Sequence, residues 1–344
     1  RTRWASAALA VVVLGLLLVS ASHIQLGVAN SDSLAKTGDA RAGLDALKNS
    51  GIGSGVMAPH EVIVPTAEAQ AAADATRQLK DVHGGVVVKN ASWVSDGKTS
   101  MLVLPSPDAG TGEAGAVTDE VRDVAHTAAP DAKVGGLVAQ NEDFIDAVYG
   151  NFPLMIVLIA GITFVLLARA FRSLVLPLKA VILNIVSVAA AWGVLQFVWQ
   201  AGHGSDEIWG IAPTGAITAW IPLMLFAFLY GLSMDYEVFI LARVREEYDR
   251  TGSTTQAIVN GIGRTGRLVT SAALILFLAF VSMASGPQTD VKVMATGLAA
   301  GILLDATVIR ALLVPALVSL FGRWNWWLPA WPARLLRVQP SEAA

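Results

Sequence analysis

The sequence predicts a multi-pass α-helical membrane protein: six transmembrane helices, with an α+β ferredoxin-like extracytoplasmic domain between helices 1 and 2. Three observations lead there. The 344 residues are 54% hydrophobic and only 15% charged, with mean hydropathy +0.57; soluble domains carry about a quarter charged residues. Six apolar runs approach or exceed the ~20 residues that a helix needs to cross a bilayer. One polar stretch, residues 23–152, contains no such run. The formal net charge of −3 is too small to imply a nucleic-acid partner. The chain has no cysteine, which excludes disulfides, thiolate metal sites and cysteine nucleophiles.

The first run covers residues 4–22 and follows Arg1 and Arg3. A basic start and the small residues Ser20, Ala21 and Ser22 also fit a signal peptide. The run is long for a signal core and long enough to span, so an uncleaved first transmembrane helix, 1–22, is expected.

In the polar stretch 23–152, residues 39–48 have helical spacing, with Leu44 and Leu47 on one side. Residues 61–64 read as a strand and 68–82 as an Ala-rich helix, punctuated by Gly84 and Gly85. Residues 85–94 and 100–104 read as strands around an Asp96-Gly97 turn. A Gly- and Pro-rich loop, 105–115, precedes a second helix at 118–129 and a fourth strand at 133–139. The order β-α-β-β-α-β is that of the split βαβ, ferredoxin-like unit.

Five more apolar runs follow, at 153–168, 174–198, 218–241, 268–284 and 293–321. They form an expected five-helix bundle, 153–322, before a tail at 323–344. Arg169, Arg172 and Lys179 fall between the second and third spans, and Arg243, Arg245, Arg250, Arg264 and Arg267 follow the fourth. Arg323, Arg334 and Arg337 follow the sixth. If all six runs cross, these clusters share one side, which is the positive-inside pattern. Both termini are then cytoplasmic and 23–152 faces outward. Residues 246–266 read as a cytoplasmic connector with a short helix. Trp324, Trp326, Trp327 and Trp331 read as an interfacial anchor.

The residues that stand out chemically lie in the fourth and sixth spans. Asp235 sits ~12 Å from the closing Arg243 and Arg245, at ~1.5 Å per residue. A carboxylate at that depth costs about 2.5–3.5 kcal/mol on insertion scales and marks a functional site by default. Gly231, four residues earlier, shares its helix face and offers close packing to a neighbouring helix. Tyr236 is rotated ~100° from Asp235 and offers a phenol. Glu237 falls on roughly the opposite face, with a side chain reaching water or a local Arg as the alternative. In the sixth span Gly297, Gly301 and Asp305 recur every four residues, a smooth face leading to a second carboxylate. Arg310 is five residues on, roughly 140° around an α-helix, so each of Asp305 and Arg310 is expected to find its partner on another helix.

Other signals are weak. The histidines, His23, His60, His83, His126 and His203, show no metal spacing, so no metal is expected. Asn90-Ala91-Ser92 matches a glycosylation triplet. No GxxxxGK[ST] loop occurs, so no nucleotide site is visible. Neither a cofactor nor a catalytic residue is expected.

The motif Asp235-Tyr236-x-x-Phe239-x-x-x-Arg243-x-Arg245-Glu246-Glu247, preceded by Gly231-Leu232-Ser233-Met234, resembles the MmpL branch of the RND superfamily of transporters. So do Tyr149-Gly150-Asn151-Phe152 and the stretch from Gly301 through Asp305 to Arg310. The resemblance covers nearly the whole chain and is to the C-terminal half of such a transporter. It implies proton-driven export of lipids or other hydrophobic molecules across the bacterial inner membrane. It further implies a proton relay of Asp235 and Tyr236, supported by Asp305, Arg310 and Glu237. The family usually fuses two halves, so a missing N-terminal half or a second copy is the expected partner, alongside membrane lipids and a hydrophobic substrate. The start at Arg1 rather than Met favours a fragment. Two other readings stand beside this one. A SecDF-like component or lipid sensor is disfavoured by the Arg-x-Arg-Glu-Glu tail. An intramembrane aspartyl protease would use Asp235 and Asp305 as a dyad, but those enzymes carry Tyr-Asp and Gly-Leu-Gly-Asp patterns, not Asp-Tyr.

Overall fold

The computed structural model describes residues 3–34 and 36–340. Arg1 of the basic start and residues 341–344 of the tail lie outside the described residues. In chain order come α1 (Arg3–Ala21), β1 (Leu26–Gly27), α2 (Asp39–Asn49), β2 (His60–Pro65), α3 (Ala69–Thr76) and β3 (Val82–Val87). Next are β4 (Val94–Ser95), β5 (Lys98–Pro105), α4 (Gly112–Ala128), β6 (Lys133–Gly136), α5 (Leu137–Tyr149) and α6 (Phe152–Phe171). Then follow α7 (Val175–Leu195), α8 (Ser205–Trp209), β7 (Ile217–Thr218), α9 (Trp220–Thr251), α10 (Thr254–Met283) and α11 (Thr289–Leu304). A π-helical segment, Asp305–Leu313, leads into α12 (Val314–Phe321) and then α13 (Ala330–Leu336). The chain forms two compact units, Arg1–Ile24 with Asn151–Gln196 and Trp220–Ala344, and Gln25–Gly150 with Phe197–Ala219.

Among the described residues, six helical stretches are long and apolar enough to cross a membrane: Trp4–Ala21, Leu137–Phe171, Val175–Gln200, Trp220–Thr251, Thr254–Met283 and Thr289–Trp326. The chain is a multi-pass helical membrane protein. The expected connector at 246–266 is replaced by two long helices that meet at Gly252, with φ +63°, and Ser253, whose hydroxyl caps α10 by accepting from Gln256 N. Its charges are not loop charges. Arg243–Glu246, Arg245–Asp249 and Arg250–Glu247 pair one turn apart along α9, and Arg264 of α10 joins Glu247 at 2.7 Å. Trp326 also departs from expectation. Fully buried, it stacks on Tyr248 at 3.8 Å and donates to Thr254 Oγ1, whereas Trp324 and Trp331 stay exposed.

Glycines bring the sixth span close to its neighbours. A Cβ at Gly297 would meet Leu225 of α9 and Leu195 of α7 at 2.5 and 2.8 Å. One at Gly301 would meet Leu229 of α9 at 2.4 Å. This approach of α11 to α7 and α9 carries the following π segment into the bundle core. Gly231 is different: it is exposed, and among the described residues nothing lies within 4 Å of an added Cβ, so none supplies the close packing expected there.

The other unit is built on an antiparallel sheet in the order β3-β5-β2-β6, with β4 pairing β5. The turn from β4 to β5 has positive φ at both Asp96 and Gly97, as a type I′ hairpin requires. Val62, Val64, Met101 and Val103 of the sheet pack on Ala72 and Ala73 of α3 and Val117 and Val121 of α4. Helix α3 is shorter than the expected 68–82, because the chain turns back into β3, where Gly85 lies against Ala73. Helix α4 begins six residues before the expected 118, and the fourth strand, expected over 133–139, ends at Gly136, whose φ of +105° turns the chain into α5. Asp108 fastens the loop before α4. Burial opposes its ionisation, but bonds from Ser54 Oγ (2.6 Å), Ser31 N (3.2 Å) and Gly110 N (3.0 Å) outweigh burial and hold the carboxyl below its ordinary range.

Candidate functional site

Helix α9 crosses the core with Ser233 and Glu237 on one face, four residues apart. Asp235, two residues from each, is rotated ~200° away and cannot share that face. Ser233 is accordingly buried, Glu237 half-buried and Asp235 exposed. The carboxylate that the fourth span turns into this bundle is therefore Glu237. Tyr236, half-buried, turns its ring toward Arg310, 5.4 Å from the guanidinium carbon.

The sixth span supplies the centre of the site. Asp305 and Arg310 are both buried and directly paired: Nε donates to Oδ2 at 2.9 Å, and Nη2 lies 2.8 Å from the same oxygen. The expectation that each would look to another helix holds for Arg310, which also bonds to α9, and is corrected for their mutual pairing, whose cause is local. A π-helical turn hydrogen-bonds residue i with i+5. Through Asp305–Leu313 that turn brings Arg310 back over Asp305, where an α-helix would hold it ~140° away. Arg310 also reaches α9: Nη2 donates to Ser233 Oγ at 2.8 Å and to Ser233 O. Its Nη1 is buried with no hydrogen-bond partner among the described residues.

Helix α7 supplies groups that sequence reasoning passed over. Asn184 is buried; its Nδ2 donates to Tyr230 O at 3.1 Å and its Oδ1 has no partner among the described residues. Lys179, expected between spans, is the fifth residue of α7 and donates to Asn325 Oδ1. The only available sequence signal was its place four residues after Val175 in an otherwise apolar run.

Three small cavities, about 10 Å³ each, follow these groups. Ser187, Ser233, Tyr236, Asp305 and Arg310 line the first, and Asn184, Glu237, Asp305 and Arg310 the second. Lys179 and Glu237 line the third. Asp235 lines none of them. Tyr236 also borders a much larger recess of about 630 Å³ between α9 and α10, with Phe239, Leu268 and Ala272 on its walls and Arg243 and Arg264 beside them. Among the described residues no cluster of His, Asp or Glu could hold a metal ion. Chemically the arrangement is a string of protonatable and hydrogen-bonding side chains inside an apolar bundle. It can hold and pass protons.

The chain is similar to known proteins over most of its length. It is 36% identical over 349 residues to "Mycolic acid-containing lipids exporter MmpL11" of Mycolicibacterium smegmatis, which covers 98% of this chain and 36% of that protein. It is 41% identical over 203 residues to "Heme uptake protein MmpL11" of Mycobacterium tuberculosis, 59% of this chain and 21% of that protein. It is 39% identical over 202 residues to "Trehalose monomycolate exporter MmpL3" of Mycobacterium tuberculosis, again 59% of this chain and 21% of that protein. The matched part is thus well under half the length of each relative. The sequence model of the MMPL family matches residues 53–340. The chain belongs to the MMPL family.

Proposed function

We propose that the chain is one half of an RND/MmpL-type transporter that exports lipids or other hydrophobic molecules across the bacterial inner membrane, driven by inward proton movement. The observation that carries this reading is the buried Asp305–Arg310 pair inside the spans, tied to Ser233 and Tyr236 of α9 and followed by Glu237. Intramembrane ion pairs of this kind mark proton relays. Asp235 and Tyr236 are the relay proper. Asp235 serves from the exposed flank of α9, on the face it shares with Gly231. A carboxylate left facing lipid there costs about 2.5–3.5 kcal/mol. A second set of spans, from an N-terminal half or a second copy, removes that cost, and a chain matching only 36% of a relative's length fits such a partner.

Residues 1–22 act as the first transmembrane helix, 23–152 as an extracytoplasmic ferredoxin-like porter domain, 153–322 as a five-helix bundle and 323–344 as a cytoplasmic tail. The strand order β3-β5-β2-β6, all antiparallel, supports the porter assignment. A reporter after Ala344 is expected to be active only in the cytoplasm, and one near Gly110 only outside; reversed signals sink the topology. The decisive experiment is Asp235→Asn in the intact transporter. It keeps shape and hydrogen bonding but cannot titrate, so pH-gradient-driven efflux of lipid should stop at unchanged membrane abundance. Full efflux would remove the relay. Heme offered as competing cargo tests the other activity named among the relatives: heme movement without lipid movement overturns the cargo assignment.

A further inference from the structure

Lys179 is a cation inside a span to which the relay above gives no task. Its position is built rather than incidental. Asn325, fully buried, donates through Nδ2 to Val318 O (2.7 Å) and Gly322 O (2.6 Å), and its backbone oxygen accepts from Ser173 Oγ (2.6 Å). The amide is thus fixed with Oδ1 toward Lys179, whose ammonium also lies 4.7 Å from the centre of the Phe321 ring. On its other side Lys179 shares the third cavity with Glu237, and Glu237 shares the second with Asp305, Arg310 and Asn184. Two buried atoms of residues lining that second cavity, Arg310 Nη1 and Asn184 Oδ1, have no hydrogen-bond partner among the described residues. An unpaired donor and an unpaired acceptor beside a space of about 10 Å³ are what a single ordered water satisfies.

We propose that Lys179 is the inner gate of the proton path, exchanging its ammonium between Asn325 and Glu237 as Glu237 gains and loses the proton that arrives from Asp305. This rests on the proton-driven reading above. In the first step the O–H bond of protonated Asp305 breaks and the proton crosses by water to the Glu237 carboxylate, forming an O–H bond there. In the second, Glu237 gives that proton to water at the Lys179 end and becomes a carboxylate. The ammonium then leaves Asn325 and pairs with it. Lys179 passes no proton in either step.

The charges around Glu237 single out the lysine. From the sixth span come Asp305 and Arg310, which are paired and largely cancel. From α7 come Lys179 and the neutral Asn184, and α9 itself adds the phenol of Tyr230. Helix α12 contributes only Val314, Leu317 and Val318 to the cavities, and α1 carries no charged residue from Trp4 onward. The uncancelled charge is Lys179, and an opposite charge favours the ionised carboxyl. A lysine's flexible four-carbon stem suits a group that must move.

The test is dye-reported proton flux in vesicles bearing the intact transporter, measured across pH 5 to 9 at matched abundance. With Lys179→Met, Glu237 releases its proton less readily. Flux at neutral pH should fall about tenfold, with the half-maximal point about one pH unit higher. Lys179→Arg restores the charge and should recover most of the flux at the parent's half-maximal pH. Glu237→Gln should stop flux. Lys179→Gln, which still donates to Asn325, serves if the Met variant fails to accumulate, with the same shift expected. A parental pH profile in Lys179→Met or Lys179→Gln overturns the gate. If flux ends in Asp235→Asn while both lysine variants keep the parental profile, only the gate is lost. Full flux in Asp235→Asn instead removes the relay reading beneath it.

Discussion

Arg310→Met tests whether the core of the site is held by a charge pair. Arg310 and Asp305 are both buried, and the guanidinium binds Asp305 Oδ2 through two nitrogens as well as Ser233 Oγ. Removing one partner of a buried pair strands the other charge, at a cost of about 3–5 kcal/mol. Replacing both with apolar groups of similar size is about neutral or mildly stabilising. Arg310→Met and Asp305→Leu should therefore each lower unfolding free energy by about 3 kcal/mol or more, and the double variant should recover most of that loss. The coupling would be on the order of 5–6 kcal/mol in magnitude, far outside the ~0.3–0.5 kcal/mol within which independent sites add. Reversible unfolding in mixed detergent micelles, followed by tryptophan fluorescence, measures all four corners of the cycle. Additive single effects would refute the pair as a unit, and with it the argument that the π turn exists to join these two residues. Arg310→Lys keeps the charge but loses the fork, so it should fall between parent and Met variant.

The glycine faces give a paired expectation. Gly301→Ala forces Leu229 aside and should cost about 1–3 kcal/mol by overpacking, whereas Gly231→Ala meets nothing in this chain and should gain about 0.5–1 kcal/mol in helix stability. The same unfolding assay reads both, and equal losses would contradict the packing described. His60 gives a pH dependence. Burial, helped by the charge of Arg122, holds its imidazole below 6.5, and both ring nitrogens lack partners among the described residues. As pH falls, the unfolded chain takes the proton first, so this residue's stabilisation is full above 6.5 and is lost below it. Amide exchange in β2, corrected for intrinsic rates, should accelerate between pH 6.5 and 5, and His60→Phe should remove that acceleration. Asp108→Asn exchanges a carboxylate with three donors for an amide and should cost about 1–3 kcal/mol, seen as faster exchange in the 105–111 loop; unchanged exchange would discount the fastening role.

Hydropathy made the spans legible because the bilayer imposes length and composition directly. It did not mark where α9 and α10 end. Residues 246–266 carry many charges, yet no residue there breaks a helix except Gly252, and the charges pair along and between helices. A charged run is a loop signal only when its charges lack helical partners.

The site was legible in its residues and not in its facing. Depth along a span can be counted from sequence, and Asp235 is deep. Rotation about the helix axis is set by which neighbours pack where, and here α11 approaches α7 and α9 through Gly297 and Gly301, residues distant in sequence. That approach puts Ser233 and Glu237 inside and leaves Asp235 outside. Lys179 was misplaced for the same reason: its partner Asn325 is 146 residues away. The Asp305–Arg310 contact is hidden for a different one: at ~100° per residue the two side chains fall on different faces of an α-helix. An interval of five between opposite charges is poor in an α-helix, and in a span neither charge can turn to water. The backbone can resolve that conflict with one i→i+5 turn, trading ideal helix geometry for a closed pair. Opposite charges five apart in an apolar span are thus themselves a sequence signal for a π turn, and such turns frequently lie at functional sites.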